Sequence, residues 1–384
     1  MAANRVNVPR VSIRSWRAWL DPTVAGLVRP LIVFVPVAIG LHLAHGSPTA
    51  QFVTACLAIV PLAGLMGEAT ERLAERLGPG IGGLLNATFG NAAELIIALF
   101  ALRKGLDEVV KASLTGSIIG NLLLVLGASI VAGGIKYPVQ RFNKTAAGVG
   151  GTLMVLASMG MLVPALFDHL VDHSKRGVLN LEHKLSVAVC LMLLAMYGLH
   201  LLFTLVTHKD LYNPTNEDCN LEDDPQVEAW GVRKSALILV VATVFVAILS
   251  EVLVSAVESA GQALGLSEIF MGVIVVAIIG NAAEHSTAIL MARKNQMDLA
   301  VGIALGSALQ IALFIAPVLV LTSYFRETPM DLVFSTLQVV AIVLAVLLAR
   351  MVAEDGESNW LEGAMLLMVY AILGLAFFYL PAKG

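Results

Sequence analysis

The sequence predicts an all-α polytopic membrane protein of about 11 transmembrane helices: one leading helix plus two inverted five-helix repeats. Three observations predict it. Hydrophobic residues make up 58% of the 384 positions and charged residues 14%, with a mean hydropathy of +0.84, which excludes an ordinary soluble domain. Apolar runs of about 20 residues, enough to cross roughly 30 Å of hydrocarbon, fill most of the chain. Finally, Gly90-Asn91-Ala92-Ala93-Glu94, continuing to Arg103-Lys104, returns as Gly280-Asn281-Ala282-Ala283-Glu284, continuing to Arg293-Lys294; eight of fifteen residues are identical at an offset of 190.

Residues 1–29 carry Arg5, Arg10, Arg14, Arg17 and Arg29 but no apolar core, so they read as a cytoplasmic N-terminal segment and not as a cleaved signal peptide; a transit peptide is the lesser reading. The leading span covers 30–46. A first repeat, 50–207, holds spans near 50–67, 80–101, 110–132, 144–167 and 184–206. The interval 208–233 then breaks the pattern with Asp210, Glu217, Asp218, Glu222, Asp223, Asp224 and Glu228, and with Pro214 and Pro225 to interrupt any helix, an acidic cytoplasmic loop. It lacks the glycine and terminal glutamate of an EF-hand and reads as a linker, with regulation of access left open. A second repeat, 234–380, holds spans near 234–258, 269–292, 298–322, 331–352 and 360–380.

Five spans per repeat is an odd number, so the second copy enters the membrane in the opposite sense. With the N-terminus cytoplasmic, sixteen Lys and Arg fall on the cytoplasmic side and eight on the other, the bias expected of that orientation. A bacterial inner (plasma) membrane is expected, with an organellar membrane as the alternative. Cys56, Cys190 and Cys219 stand far apart, without the spacing of a disulfide framework or a thiolate metal site.

The chemistry lies in the polar part of the repeat. Around it the apolar positions drift, Leu95-Ile96-Ile97 against His285-Ser286-Thr287, while Asn and Glu return. Glu94 and Glu284 sit inside spans, where an acid costs roughly 2.5–3.5 kcal/mol and marks a functional site by default. Neither span has an interior Lys or Arg, so a proton or a cation must neutralise them. Asn91 and Glu94 are three apart, as are Asn281 and Glu284, and on a helix each pair shares a face. Gly90 and Gly280 allow close approach or local unwinding that frees carbonyl oxygens. Two glutamates, two asparagines and carbonyls form an oxygen-only set of the kind a hard divalent cation such as Ca²⁺ takes, and two bare carboxylates would recruit protons when it leaves. Ca²⁺ and H⁺ competing for one site is the minimal basis of antiport. Ser117 and Asn121, four apart, and Ser307 and Gln310, three apart, add hydroxyls and amides as a supporting shell; interhelical packing is their bland alternative.

Other residues carry weaker signals. Glu68, Glu71 and Glu75 lie beside Arg72 and Arg76 on an interfacial face, with Glu71 a candidate for ion entry. Glu251 and Glu258 lie toward the far end of their span, and Glu251 reads as the deeper third acid. Glu68 and Glu75 match Glu251 and Glu258 at an offset of 183, while Glu71 aligns with Glu251 in a second register. His285 could tune protonation beside Asn281 or simply pack. His169, Asp172, His173 and His183 cluster in one loop without a fixed third metal ligand. No P-loop, GxSxG or HExxH occurs, so neither ATP-driven transport nor a membrane enzyme has support.

At these residues the chain resembles the CAX-type cation/proton exchangers of the calcium/cation antiporter superfamily. The resemblance is carried by Leu84 to Ile96, by Gly280 to His285, by Gly116-Ser117-Ile118-Ile119-Gly120-Asn121 and by Gly306-Ser307-Ala308-Leu309-Gln310, and it covers nearly the whole chain. It implies eleven helices, alternating access driven by a proton gradient, and paired glutamates binding Ca²⁺ or protons, with further acids at Glu71 and Glu251. His285 fits the proton-coupled branch. The expectation is a Ca²⁺/H⁺ antiporter removing Ca²⁺ from the cytosol, with Ca²⁺ and H⁺ as transported substrates, no cofactor, no nucleic-acid partner, a lipid bilayer around it, and a homo-oligomer left open. The alternatives are an exchanger for another cation (Na⁺/Ca²⁺, Mn²⁺/H⁺ or Na⁺/H⁺) and a cation channel.

Overall fold

The computed structural model describes residues 29–77, 79–171, 178–208 and 230–380. The N-terminal segment, most of the acidic loop, and Asp172, His173 and Cys219 lie outside the described residues. The helices are α1 (Phe34–Leu43), α2 (Pro48–Leu77), α3 (Pro79–Phe89), α4 (Ala92–Arg103), α5 (Asp107–Gly134), α6 (Lys144–Leu170) and α7 (Val178–Leu202) in the first half. In the second half they are α8 (Val232–Leu264), α9 (Glu268–Gly280), α10 (Ala282–Arg293), α11 (Met297–Ser323), α12 (Thr336–Val352) and α13 (Trp360–Phe378). Helix starts follow local polar chemistry. Asn143 accepts from the Thr145 and Ala146 amides to cap α6, and Ser335 with Gln338 and Asn359 with Glu362 form capping boxes for α12 and α13. Gly265, at φ +69°, ends α8 in a left-handed turn.

Among the described residues, seven helices are long and apolar enough to cross a membrane, and α9 with α10, bent by 60° at their junction, make an eighth if the pair is one span. The other three expected spans are shorter or broken. α1 and α12 are shorter apolar helices, and 80–101 is two helices, because Gly90 and Asn91 leave the helical path. The two motif copies break at the same place. After each break comes a long helix with a π-helical stretch at nearly equivalent positions, Gly120–Val125 in α5 and Ile311–Ile315 in α11. The all-helical expectation needs one small addition, a two-residue antiparallel ladder of β1 (Gln140–Arg141) with β2 (Glu357–Ser358).

Contacts between the ends of helices fall into two sets. At a first face, Arg326 pairs with Asp107 at 2.7 Å and Lys111 with Asp331 at 2.5 Å, Lys104 meets Ser255, Tyr324 donates to the His183 carbonyl, and the Leu332 amide donates to Ser186. At a second face, β1 pairs with β2, Arg141 bridges Glu357 at 2.9 Å, the Asn143 amide donates to Asp298 at 2.5 Å, and Arg72 and Lys234 lie over the Trp230 ring.

Candidate ion-binding site

The site forms where the two breaks meet. Asn91 and Asn281 are the residues before α4 and α10, with φ,ψ of −110°, 35° and −94°, 6°. The expectation that each Asn shares a helical face with its Glu is therefore corrected: the Asn stands at the junction, outside the helix. The cause is the side-chain amide, which competes with the backbone ladder and here turns to the opposite repeat. Glu94 and Glu284 occupy the first turns of α4 and α10, where the positive end of the helix dipole favours a negative charge.

A chain of hydrogen bonds runs through these junctions. Asn91 donates to Gln310 Oε1 and accepts from Ser307 Oγ at 2.8 Å. Asn121 donates to Ser307 Oγ at 2.9 Å and to Asn281 Oδ1 at 3.2 Å. Asn281 in turn donates to Ser117 Oγ and to the Ala277 carbonyl, each at 2.9 Å. Each motif Asn thus bonds to the serine and amide of the other half, and all six residues predicted from sequence come together in one connected path. Asn91, Asn121, Asn281, Ser117 and Ser307 are buried.

The two carboxylates lie beside this path. A Cβ on Gly280 would stand 3.2 Å from Glu94 Cγ and 3.6 Å from its Oε1, so the glycine makes room for the acid of the other repeat. Glu94 of the first motif therefore packs against the second motif four residues before Glu284. Two buried acceptors, Glu284 Oε2 and Asn121 Oδ1, have no hydrogen-bond partner. Among the described residues no ion pair reaches either glutamate, and no group of three or more His, Cys, Asp or Glu side chains is placed to hold a metal. The oxygen donors here are two carboxylates, amides, hydroxyls and backbone.

The weaker candidates separate from this centre. His285 is half-buried in the first turn of α10, its amide donating to the Asn281 carbonyl. Glu71 is half-buried on α2, one turn from the Glu68–Arg72 pair. Glu251, expected to be the deeper third acid, is exposed on α8, as is Glu258. His169 ends α6, and the His183 ring meets Tyr324 edge-on. Sequence reasoning missed Lys111, which is 8% exposed in the first turns of α5. A lysine inside an expected span was the available signal.

Paired acids and crossed amides at the broken helices of a polytopic membrane protein define the class: a membrane protein built to hold a small cation between two copies of one helical unit. Comparison with known proteins gives the family. Residues 47–206 and 234–379 match the sodium/calcium exchanger protein family, and the chain belongs to it. The chain is 46% identical over 360 residues to a Ca²⁺/H⁺ antiporter of Aphanothece halophytica, covering 91% of this chain and 96% of that one. It is 47% identical over 347 residues to the Ca²⁺/H⁺ antiporter ChaA of Bacillus subtilis (strain 168), covering 90% and 97%. The solved structure of native YfkE superposes with a TM-score of 0.77 at 42% identity, covering 92% of this chain and 100% of the other. The H⁺/Ca²⁺ exchanger CAX, at 14% identity and a TM-score of 0.66, shares the fold.

Proposed function

We propose that the chain is a secondary active antiporter that exchanges Ca²⁺ for H⁺ by alternating access and removes Ca²⁺ from the cytosol using the proton gradient. One observation carries this reading: Glu284 has an unpartnered buried carboxylate oxygen, the second acid, Glu94, packs against Gly280 of the same motif, and among the described residues no basic side chain pairs with either. Two desolvated carboxylates that close repel each other unless a cation or protons sit between them. A divalent ion balances both charges, and oxygen donors suit Ca²⁺. Its departure leaves two acids that take up protons, so the site alternates between the two cargoes. The relatives named Ca²⁺/H⁺ antiporters favour the same pair of ions.

Glu94, Glu284, Asn91 and Asn281, with the Gly90 and Gly280 backbone, form the cation and proton site in this reading. Ser117, Asn121, Ser307 and Gln310 hold it in place, His285 stands next to it, and Glu71, Glu251 and Glu258 act along the access routes. The domain division is a leading helix, 30–46, and two inverted repeats, 50–207 and 234–380. Loop contacts support the inversion. With eleven spans counted, every contact at the first face joins ends that follow odd-numbered spans, and every contact at the second face joins ends that follow even-numbered ones. None of these pairs crosses the two sets. The leading helix then begins on the second face, and the excess of basic residues on that side supports a cytosolic assignment for it.

The test is reconstitution of the purified chain into liposomes with an imposed pH gradient, adding Ca²⁺, Mn²⁺, Na⁺ and K⁺ one at a time against a pH-sensitive dye. Proton movement on adding Ca²⁺ supports the reading. Movement with Na⁺ or Mn²⁺ but not Ca²⁺ replaces the cation, and Ca²⁺ flux that persists without any opposing gradient at channel-like rates removes the antiporter.

A further inference from the structure

The two faces are packed unequally around the site. Toward the first face, α5 lies hard against α9: a Cβ on Gly116 would stand 1.9 Å from the Val273 carbonyl oxygen, and one on Gly272 would stand 2.6 Å from Ala112 Cβ. The repeat-related surface, toward the second face, is empty. Gly306, the counterpart of Gly116, and Gly302 on the same helix both have nothing within 4 Å. α3, the counterpart of α9, is exposed at Leu84, Asn86 and Thr88, positions on opposite sides of the helix, and packs through Gly82 against Ala74 of α2.

The two faces also differ in how deeply their cross-repeat ion pairs are buried. Lys111 and Asp107, both on α5, pair with Asp331 and Arg326 of the segment between α11 and α12. These bonds link the two repeats across about 220 residues, and all four side chains are 10–29% exposed. The segment is itself anchored: the Val333 amide donates to Asp331 Oδ1, the Leu332 amide to Ser186, and the Met330 amide to Ser323. At the second face the only cross-repeat ion pair among the described residues is Arg141–Glu357, with side chains 75% and 48% exposed. Half-buried charges bonded to a fixed partner hold a geometry that exposed pairs do not.

We propose that Lys111–Asp331 and Arg326–Asp107 form the latch that keeps the first face closed during transport, and that Gly302 and Gly306 are the seat that α3 takes when the latch opens. The proposal rests on the transport reading above. Lys111 and Arg326 are gating residues in it: they touch no cargo and act through the position of α5 against α9. Closing one face while opening the other requires that each repeat-related contact be made in turn, and the latch sets the balance between the two states.

Hydrogen exchange on the full-length protein in nanodiscs tests this, using Lys111→Met, Arg326→Gln and the reversed pair Lys111→Asp with Asp331→Lys. The single variants should raise amide exchange in 107–119 and 268–280 by roughly fivefold or more and lower it in 79–89 and 297–306, while the reversed pair moves both regions back toward the parent. Unchanged exchange in the single variants overturns the latch. So does a rise at both faces, which marks a loosened fold, and so does a reversed pair that restores neither region. The readout needs no transport, so a wrong assignment of the cargo leaves the reciprocal pattern intact, and failure of the pattern leaves the liposome result standing.

Discussion

The two copies of Gly-Asn-Ala-Ala-Glu are identical in sequence and differ in surroundings. Gly280 is covered by the Glu94 side chain, whereas Gly90 faces Gln310 Oε1 and its own helix. Asn281 bonds to Ser117, Asn121 and a backbone carbonyl, all at ordinary length, whereas Asn91 bonds to Ser307 and Gln310. Gly116 is pressed under a carbonyl while Gly306 looks into open space. Identical local sequences held in two environments cannot owe the difference to propensity. It belongs to the arrangement of the halves, and an exchange of the two environments is what a shared site reached from alternate sides requires.

The largest expected effect comes from the shared acids, which the comparison treats as equivalent. Glu94→Gln and Glu284→Gln should each reduce pH-gradient-driven Ca²⁺ uptake into inverted vesicles to the level of empty vesicles, because one carboxylate cannot both balance a divalent charge and carry the returning protons. Substantial uptake by both variants would remove the site. With the wild type, Ca²⁺ binding measured by calorimetry should weaken as pH falls and should release protons, since both ions need the same oxygens.

Next are the asparagines, where the halves should separate. Asn281→Ala takes from buried Ser117 its bond to the other half and from buried Asn121 one of its two bonds, and a stranded buried group costs about 1–3 kcal/mol, so a fall in thermal stability should accompany the loss of exchange. Asn91→Ala removes the donor to half-buried Gln310 and the acceptor of buried Ser307, but Ser307 keeps its bond from Asn121, so it should cost less stability for a similar loss of exchange. Equal melting shifts would erase the asymmetry drawn between the two junctions.

Much of this was legible in the sequence, for physical reasons. Midplane charge is expensive, so Glu94 and Glu284 could be singled out by their cost alone, and the 190-residue offset led directly to Ser117 and Ser307. The broken helices were half legible: Gly90 and Gly280 signalled loose backbone, but the Asn at each junction was placed on the helix because spacing cannot show that a side chain has turned across to the other repeat. Gln310 stands one position before the repeat-related partner of Asn121, which is Ile311, and only the bonds to Asn91 show that it takes the same role. Glu251 was placed by its depth along a span, which does not say which way its side chain faces. Lys111 was under-read, because its partner Asp331 lies in the other repeat, and no local pattern reports an ion pair between halves.

The smallest structural change that sharpens the comparison is a single methyl group. Gly306→Ala meets nothing within 4 Å, and replacing a helical glycine whose backbone alanine can adopt stabilises by about 0.4–1 kcal/mol, so its melting temperature should rise slightly. Gly116→Ala places the same methyl against the Val273 carbonyl and should lower it. If the space beside Gly306 is the seat for α3 in the opposite state, the stabilised Gly306→Ala protein should nevertheless exchange Ca²⁺ for H⁺ more slowly than the parent, because the added methyl obstructs a contact made only in that state. Higher stability with slower transport is hard to obtain from a residue with a merely structural role. Higher stability with unchanged transport would show that the open surface is lipid-facing and takes no part in the cycle.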